Sequence, residues 1–436
     1  MVGMRIPSEP QKWIRRRALE RFQRYVAIDT RSDPESGRHP STDGQWDLAR
    51  VLQAELTAMG VLDVHLDDYG YLYIAQPGRK AVGGPAITFC AHLDTSPSVS
   101  GRNVTPLIHR NYDGGPLHFP DDPSLVLAPD DSPELLRFVG EDIVTASGRT
   151  LLGADDKAGL AAIMTALEFL QAEAKWPHPE LRIVFTPDEE IGAGADHIRR
   201  ECMGQVGYTI DGGMLGELEA ECFHALKAEI AFTGLNVHPG YAKNRMINAA
   251  AIAARLAAAL PAHEAPEHTA GREGFYHLTA IAGNESQARL ELILRDFDAG
   301  RNARRVDFLE KLCTTQRALY PGVRIDLAVK EQYRNMKEVL ERHPDVLAVA
   351  RQAFEAAGVE VIDKAIRGGT DGARFCFMGV PTPNIFAGGL LFHSRKEWIP
   401  VRALQKSTEV ILQLCRLWAQ APPQATIRAD ADEDGS

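Results

Sequence analysis

Three short apolar runs, each ending in residues that can carry charge or bind a cation, constrain this chain more than any other feature. AITFC (residues 86–90) runs into Ala91-His92-Leu93-Asp94, LRIVF (181–185) into Thr186-Pro187-Asp188-Glu189-Glu190, and VGYTI (206–210) into Asp211-Gly212-Gly213. Runs of this length and content read as strands. Around them, apolar residues recur at helical spacing: Trp46, Leu48, Val51, Leu52, Leu56 and Met59, with Gly60 as the stop, and Leu160, Ile163, Met164 and Leu167 within 157–170. Strand and helix in alternation predict an α/β fold, a sheet with helices on both faces. In open sheets of this kind, sites form at the carboxyl ends of the strands.

The pattern changes after Asp211. Residues 222–235 read as a strand, 241–259 as an Ala-rich helix, 277–283 and 287–297 as a strand pair, 300–319 as a helix and 323–331 as a strand. That is a β-α-β-β-α-β unit the size of a small domain. Helices and strands then resume from Pro344 to Trp418, ending on a helix at 402–418. The expected organisation is an α/β domain built from residues 1–220 and 336–420, interrupted by a smaller α+β domain at 221–335. The first dozen residues and an acidic tail at 421–436 are polar, poor in large apolar groups and expected to be disordered.

The net charge of -11 argues against a nucleic-acid binder, which needs a basic face to neutralise phosphates. No apolar run reaches the roughly 18 residues of a membrane span. The basic N-terminus has no apolar stretch behind it, so no secretory signal is expected. The six cysteines are scattered without a CxxC pair and read as reduced, buried residues, so the expected compartment is the cytoplasm.

The chemistry-bearing residues sit where the strands end. His92 and Asp94 alternate on an extended chain and share one face, so Asp94 could take the second ring N–H of a metal-bound His92. Asp155 and Asp156 open a helix. They either cap it, or one of them bridges two cations. Asp188, Glu189 and Glu190 repel one another unless cations or protons compensate. Neighbouring side chains diverge, so one glutamate can bind a cation while the other takes a proton from water. Asp211 closes the third strand, and His393 follows an apolar Gly-rich run far along the chain. Two imidazoles with several carboxylates suit Zn²⁺, with Mn²⁺ or Co²⁺ as alternatives. Asp155, Glu190, Asp211 and one hydroxide would neutralise two divalent ions.

The motifs STDGQW (41–46), AHLDTSP (91–97), LLGADDKAG (151–159), FTPDEE (185–190), DGG (211–213), GELE (216–219), NVHPG (236–240), EGFYHL (273–278), RDFD (295–298), IRGGTDGA (366–373) and PNIFAGG (383–389) occur in this order. A chain with these motifs resembles the M20 metallopeptidases over nearly its whole length, and within them the tripeptide aminopeptidases. The resemblance implies a mixed-sheet catalytic domain with an inserted lid and dimerisation domain, and hence a homodimer acting on small peptides. It implies two Zn²⁺ per subunit held by His92, Asp155, Glu190, Asp211 and His393, with Asp155 bridging and the Asp155–Asp156 bond cis. Asp94 would orient His92, and Glu189 would be the general base. Within the resembling motifs, His238 is the candidate oxyanion donor, and Arg295 and Arg367 the candidate grips for a substrate carboxylate.

Two segments depart from the family pattern: the proline- and acid-rich loop at 116–136, and Ser394-Arg395-Lys396-Glu397-Trp398. Neither is expected to touch a ligand. Carboxypeptidase, dipeptidase or other amidohydrolase activity would use the same ligands. A metal-stabilised binding protein would not need Glu189 beside Glu190.

Overall fold

The computed structural model describes residues 8–81 and 83–421. The acidic tail from residue 422 onward lies outside the described residues. Among the described residues, one compact unit holds the chain up to Ala220, Met336–Lys364 and the residues from Thr370 on; a second holds Glu221–Asn335 and Ala365–Gly369.

The first unit opens with α1 (Ser8–Val26) and α2 (Asp43–Ala58), then β1 (Asp63–Leu66), β2 (Leu72–Gln76) and β3 (Ile87–His92). Short strands β4 (Leu107–His109), β5 (Leu117–His118), β6 (Val126–Leu127) and β7 (Ile143–Thr145) follow. After them come α3 (Ala154–Ala172), β8 (Leu181–Thr186), β9 (Val206–Gly212) and β10 (Glu217–Cys222). The second unit runs β11 (His224–Thr233), α4 (Ala249–Ala258), β12 (Phe275–Gly283), β13 (Gln287–Asp296), α5 (Ala299–Leu319) and β14 (Arg324–Tyr333). The chain returns through α6 (Lys337–Leu340), α7 (Pro344–Ala357), β15 (Ile362–Ile366), α8 (Asp371–Phe377), β16 (Asn384–Phe386), β17 (Trp398–Pro400) and α9 (Val401–Ala419).

Eight strands form the main sheet in the order β1-β2-β8-β3-β9-β16-β10-β15. Its centre is parallel (β8, β3, β9 and β16), while β1 and β2 run antiparallel to their neighbours and β10 runs antiparallel to β16, so the sheet is mixed. Side chains alternate between its faces. Leu72, Ile74, Ile87, Phe89, Leu181, Ile183 and Phe185 enter the large core with residues of α1, α3 and α9; Tyr71, Tyr73, Cys90 and Val184 meet Phe375 of α8 and Val380 on the other side. Each large apolar side chain so buried stabilises the fold by roughly 1.5–3 kcal/mol.

The start of the chain differs from expectation, because α1 already covers Ser8 to Lys12. Its apolar face begins at Trp13, half-buried against the core, and continues through Ile14, Ala18, Phe22 and Tyr25, these four fully buried. The polar first turn is carried by that face. In the second unit, β12-β13-β11-β14 form an antiparallel sheet. Ile230, Phe232, Leu290, Leu292 and Leu294 pack on Ile252 and Leu256 of α4 and on Leu309 of α5. The helix expected at 241–259 starts only at Ala249, because Asn248 caps it by accepting the Ala251 N–H at 3.0 Å. Asn244, four residues earlier, is left-handed with φ +59°.

Candidate metal centre

The carboxyl ends of β3, β8 and β9 deliver His92, the 188–190 loop and Asp211 to one place, and the start of α3 brings Asp155. His393 arrives from a loop closed by Leu390 and Trp398, whose backbone groups exchange hydrogen bonds of 2.9 and 3.1 Å. Asp155 stands between the two histidines. Its Oδ1 lies 2.8 Å from His92 Nε2 and its Oδ2 lies 3.2 Å from His393 Nε2. Beyond His92 Nε2, at 3.5 Å, is Asp211 Oδ1; beyond His393 Nε2, at 2.9 Å, is Glu190 Oε2. Asp155 thus has an imidazole on each side, with a second carboxylate beyond each imidazole. The Asp155–Asp156 peptide is cis.

Burial and crowding set the charges. Burial, then the charge of Asp155, push the carboxyls of Glu190 and Asp211 up to about 7. Burial and then Asp211 push Glu189 well above the carboxylate range, and Asp156 likewise. Burial opposes charge on His393, but Asp155 and Glu190 outweigh it and raise the imidazole to about 10. Burial also opposes ionisation of Asp155, yet His393 and His92 hold it well below its usual range. Acids outnumber imidazoles here, and Glu190 Oε1 is buried without a hydrogen-bond partner. Donor atoms of His92, Asp155 and Glu190 lie within 4.8 Å of one another, as do those of His92, Asp156 and Asp211. Nitrogen and oxygen donors at this spacing, with excess negative charge, fit divalent cations.

Buried carboxylates support these residues, Asp94 in the position expected of a partner for His92. Asp94 is fully buried. His92 Nδ1 lies 3.0 Å from its backbone oxygen and 3.3 Å from its Oδ1. Its two carboxylate oxygens accept the backbone N–H groups of Glu189 and Glu190 at 3.0 and 3.1 Å. Asp188 is left-handed, φ +57°. Its carboxylate accepts from the Ser41 N–H and hydroxyl and from Gln45 Nε2, and lies 3.1 Å from His39 Nδ1. That explains the chemistry of STDGQW: it holds the strained turn preceding the two glutamates. Asp156 accepts the N–H of His92 at 3.2 Å and that of Gly159 at 3.1 Å.

The segment 394–398 does touch a candidate ligand residue, contrary to expectation. Glu397 accepts the Asp155 N–H at 3.2 Å, and its neighbours tie this segment to the other departing loop. Arg395 binds Asp122 at 2.8 Å and Lys396 binds Asp131 at 2.6 Å.

The three remaining candidates belong to the second unit. Arg295 lies over the Tyr333 ring at 5.0 Å, and burial lowers its guanidinium to about 10. No carboxylate among the described residues pairs with it. Arg367 is committed: it donates to the carbonyls of Gly271, Glu273 and Thr269 and stacks over Phe223 and Phe275. His238 is on a short turn, where its Nδ1 accepts the Gly240 N–H at 3.2 Å.

The sequence profile of "Peptidase family M20/M25/M40" matches residues 151–417, more than half of the chain. The chain belongs to this peptidase family. Among M20 relatives, peptidase T of Geobacillus thermodenitrificans is 46% identical over 403 residues, 92% of this chain and 98% of that protein. Peptidase T of Parabacteroides distasonis is 47% identical over 92% of this chain and 99% of its own length. The fold matches a tripeptidase of Staphylococcus aureus with a TM-score of 0.72 at 22% identity, covering 93% of this chain and 98% of that one. It matches the aminopeptidase PepT of Bacillus cereus with a TM-score of 0.71 at 24% identity, covering 93% and 99%. The chain is therefore a hydrolase of the M20 family. No described helix is long and apolar enough to cross a membrane.

Proposed function

We propose that this chain is a two-metal aminopeptidase that releases the N-terminal residue of tripeptides. The observation that carries the reading is the division of the Asp155 carboxylate between His92 with Asp211 and His393 with Glu190. One oxygen toward each group is what a bridging ligand requires. His92 and Asp211 would hold one ion, and His393 and Glu190 the other. Zn²⁺ suits these donors, with Co²⁺ or Mn²⁺ as substitutes. When bound, the ions supply Lewis acidity and make water acidic enough to yield hydroxide near neutral pH.

Glu189 is the base. It takes the proton of the attacking water and passes it to the leaving amine. Asp94 holds the Glu189 and Glu190 backbone and the His92 ring in place. His238 donates to the oxyanion that develops at the scissile carbonyl. Arg295 grips the C-terminal carboxylate of the peptide, a role supported by its desolvated, unpaired guanidinium. Arg367 is structural, because both of its terminal nitrogens already donate within the second unit. Residues up to 220 with 336–364 and 370–420 form the catalytic domain. The compact unit Glu221–Asn335 acts as lid and as dimerisation surface of a homodimer. All six cysteines are free, which supports a reducing cytoplasm.

Hydrolysis of a free tripeptide, with chelator and then Zn²⁺ or Co²⁺ add-back, tests the reading. The expected result is release of the N-terminal residue, abolished by chelator, restored by metal and absent with an N-acetylated substrate. Release from the other end would make the chain a carboxypeptidase with the same centre.

A further inference from the structure

We infer that Glu397 is a positioning residue that sets the backbone of Asp155 before any cation binds. Its side chain is 1% exposed, and it spends both carboxylate oxygens on the turn that opens α3. Oε2 accepts the N–H groups of Leu152 and Gly153 at 2.8 and 2.9 Å; Oε1 accepts those of Ala154 and Asp155 at 2.7 and 3.2 Å. Four consecutive amides converge on one anion. Gly153, left-handed at φ +81°, lets the chain turn its N–H groups inward. The negative charge also faces the positive end of α3.

Glu397 stands four residues after His393 in the loop closed by Leu390 and Trp398. Arg395, Lys396 and Trp398 anchor this loop on Asp122, Asp131 and Ser132. One short segment therefore carries an imidazole of the centre and the clamp on the backbone of Asp155, whose carboxylate that imidazole faces. Their spacing is fixed together. The inference rests on the proposed role of Asp155 as the shared ligand.

The experiment titrates apo wild type and Glu397→Gln with Co²⁺, following metal stoichiometry and the Co²⁺ absorption spectrum. Glutamine keeps the size but turns an N–H₂ group toward amides that are themselves donors. The expected outcome is wild type with two ions, and a variant with at least one ion bound ~10- to 100-fold more weakly. The variant spectrum is altered, and kcat falls while the KM for a tripeptide stays within about twofold, as for an interaction absent from substrate binding. Wild-type affinity and spectrum in the variant would overturn the inference and leave the proposed function intact. Failure of the wild type itself to bind two ions would sink the proposed function instead. Amide hydrogen exchange on apo wild type covers the case of a variant that does not fold. Slow exchange at Leu152–Asp155 without metal supports the clamp, whereas protection only after metal addition refutes it.

Discussion

Asp94 and Glu189 are joined through the backbone: Oδ1 of the aspartate accepts the glutamate's N–H at 3.0 Å. The carboxylate sits beneath the turn bearing the proposed base. Asp94→Asn would set an amide donor against N–H donors, leaving a buried group unsatisfied. Turnover should fall ~10- to 100-fold, with weaker metal retention on dialysis against a mild chelator. Steady-state kinetics and metal analysis of the dialysed variant check this.

Glu189→Gln removes the base without removing a proposed ligand. Two ions per chain should remain by elemental analysis, while kcat drops by ~10²–10⁴. Near-normal turnover in a fully loaded variant would reassign the base.

Arg295 and Arg367 should separate cleanly. Arg295→Ala loses a charge-assisted grip worth roughly 1.5–3 kcal/mol, so the KM for free tripeptides should rise at least tenfold. C-terminally amidated tripeptides should be equally poor for wild type and variant. Arg367→Ala gives up backbone carbonyl partners and two ring faces, and should lower Tm. Amidated and free peptides measured on both variants, with melting curves, would expose a reversed assignment.

Glu168 links acid to stability. Burial opposes its charge, but Arg17 and Arg21 outweigh burial and hold its carboxyl below the ordinary range. A depressed carboxyl stabilises the fold at pH values above its unfolded pKa of about 4.3, and that contribution is lost as pH falls through the folded value. Glu168→Gln should therefore melt below wild type at pH 7 by an amount equivalent to ~1 kcal/mol. The gap should close below about pH 4. A gap that widened in acid would contradict the ion-pair account.

What could be read from the sequence was local. His92 and Asp211 lie at strand ends, and a period-two apolar pattern or a short apolar run locates strand ends directly. The boundaries of β3, β8, β9 and the paired strands of the second unit follow for the same reason. Glu397 was illegible because it is one acid in a charged segment, and its partners are backbone amides 242 to 245 positions earlier. Asp188 was visible as an acid, but its partners His39, Ser41 and Gln45 come from before the first strand. The overlong helix expected at 241–259 came from alanine-rich composition, which says nothing about where an asparagine will cap. Strand order was also beyond reach: β9 and β10 are successive along the chain, yet β16 lies between them.

That last arrangement bears on how the protein is made. During synthesis, β9 can pair with β3 as soon as both have left the ribosome, but its other edge must wait for Asn384–Phe386. Throughout translation of the second unit, the nascent sheet keeps an unpaired, apolar border, the kind of edge that recruits a foreign strand. Expression yield should thus respond to chaperone supply more than equilibrium stability alone would suggest, and a fragment ending before β16 leaves that edge of β9 without its partner.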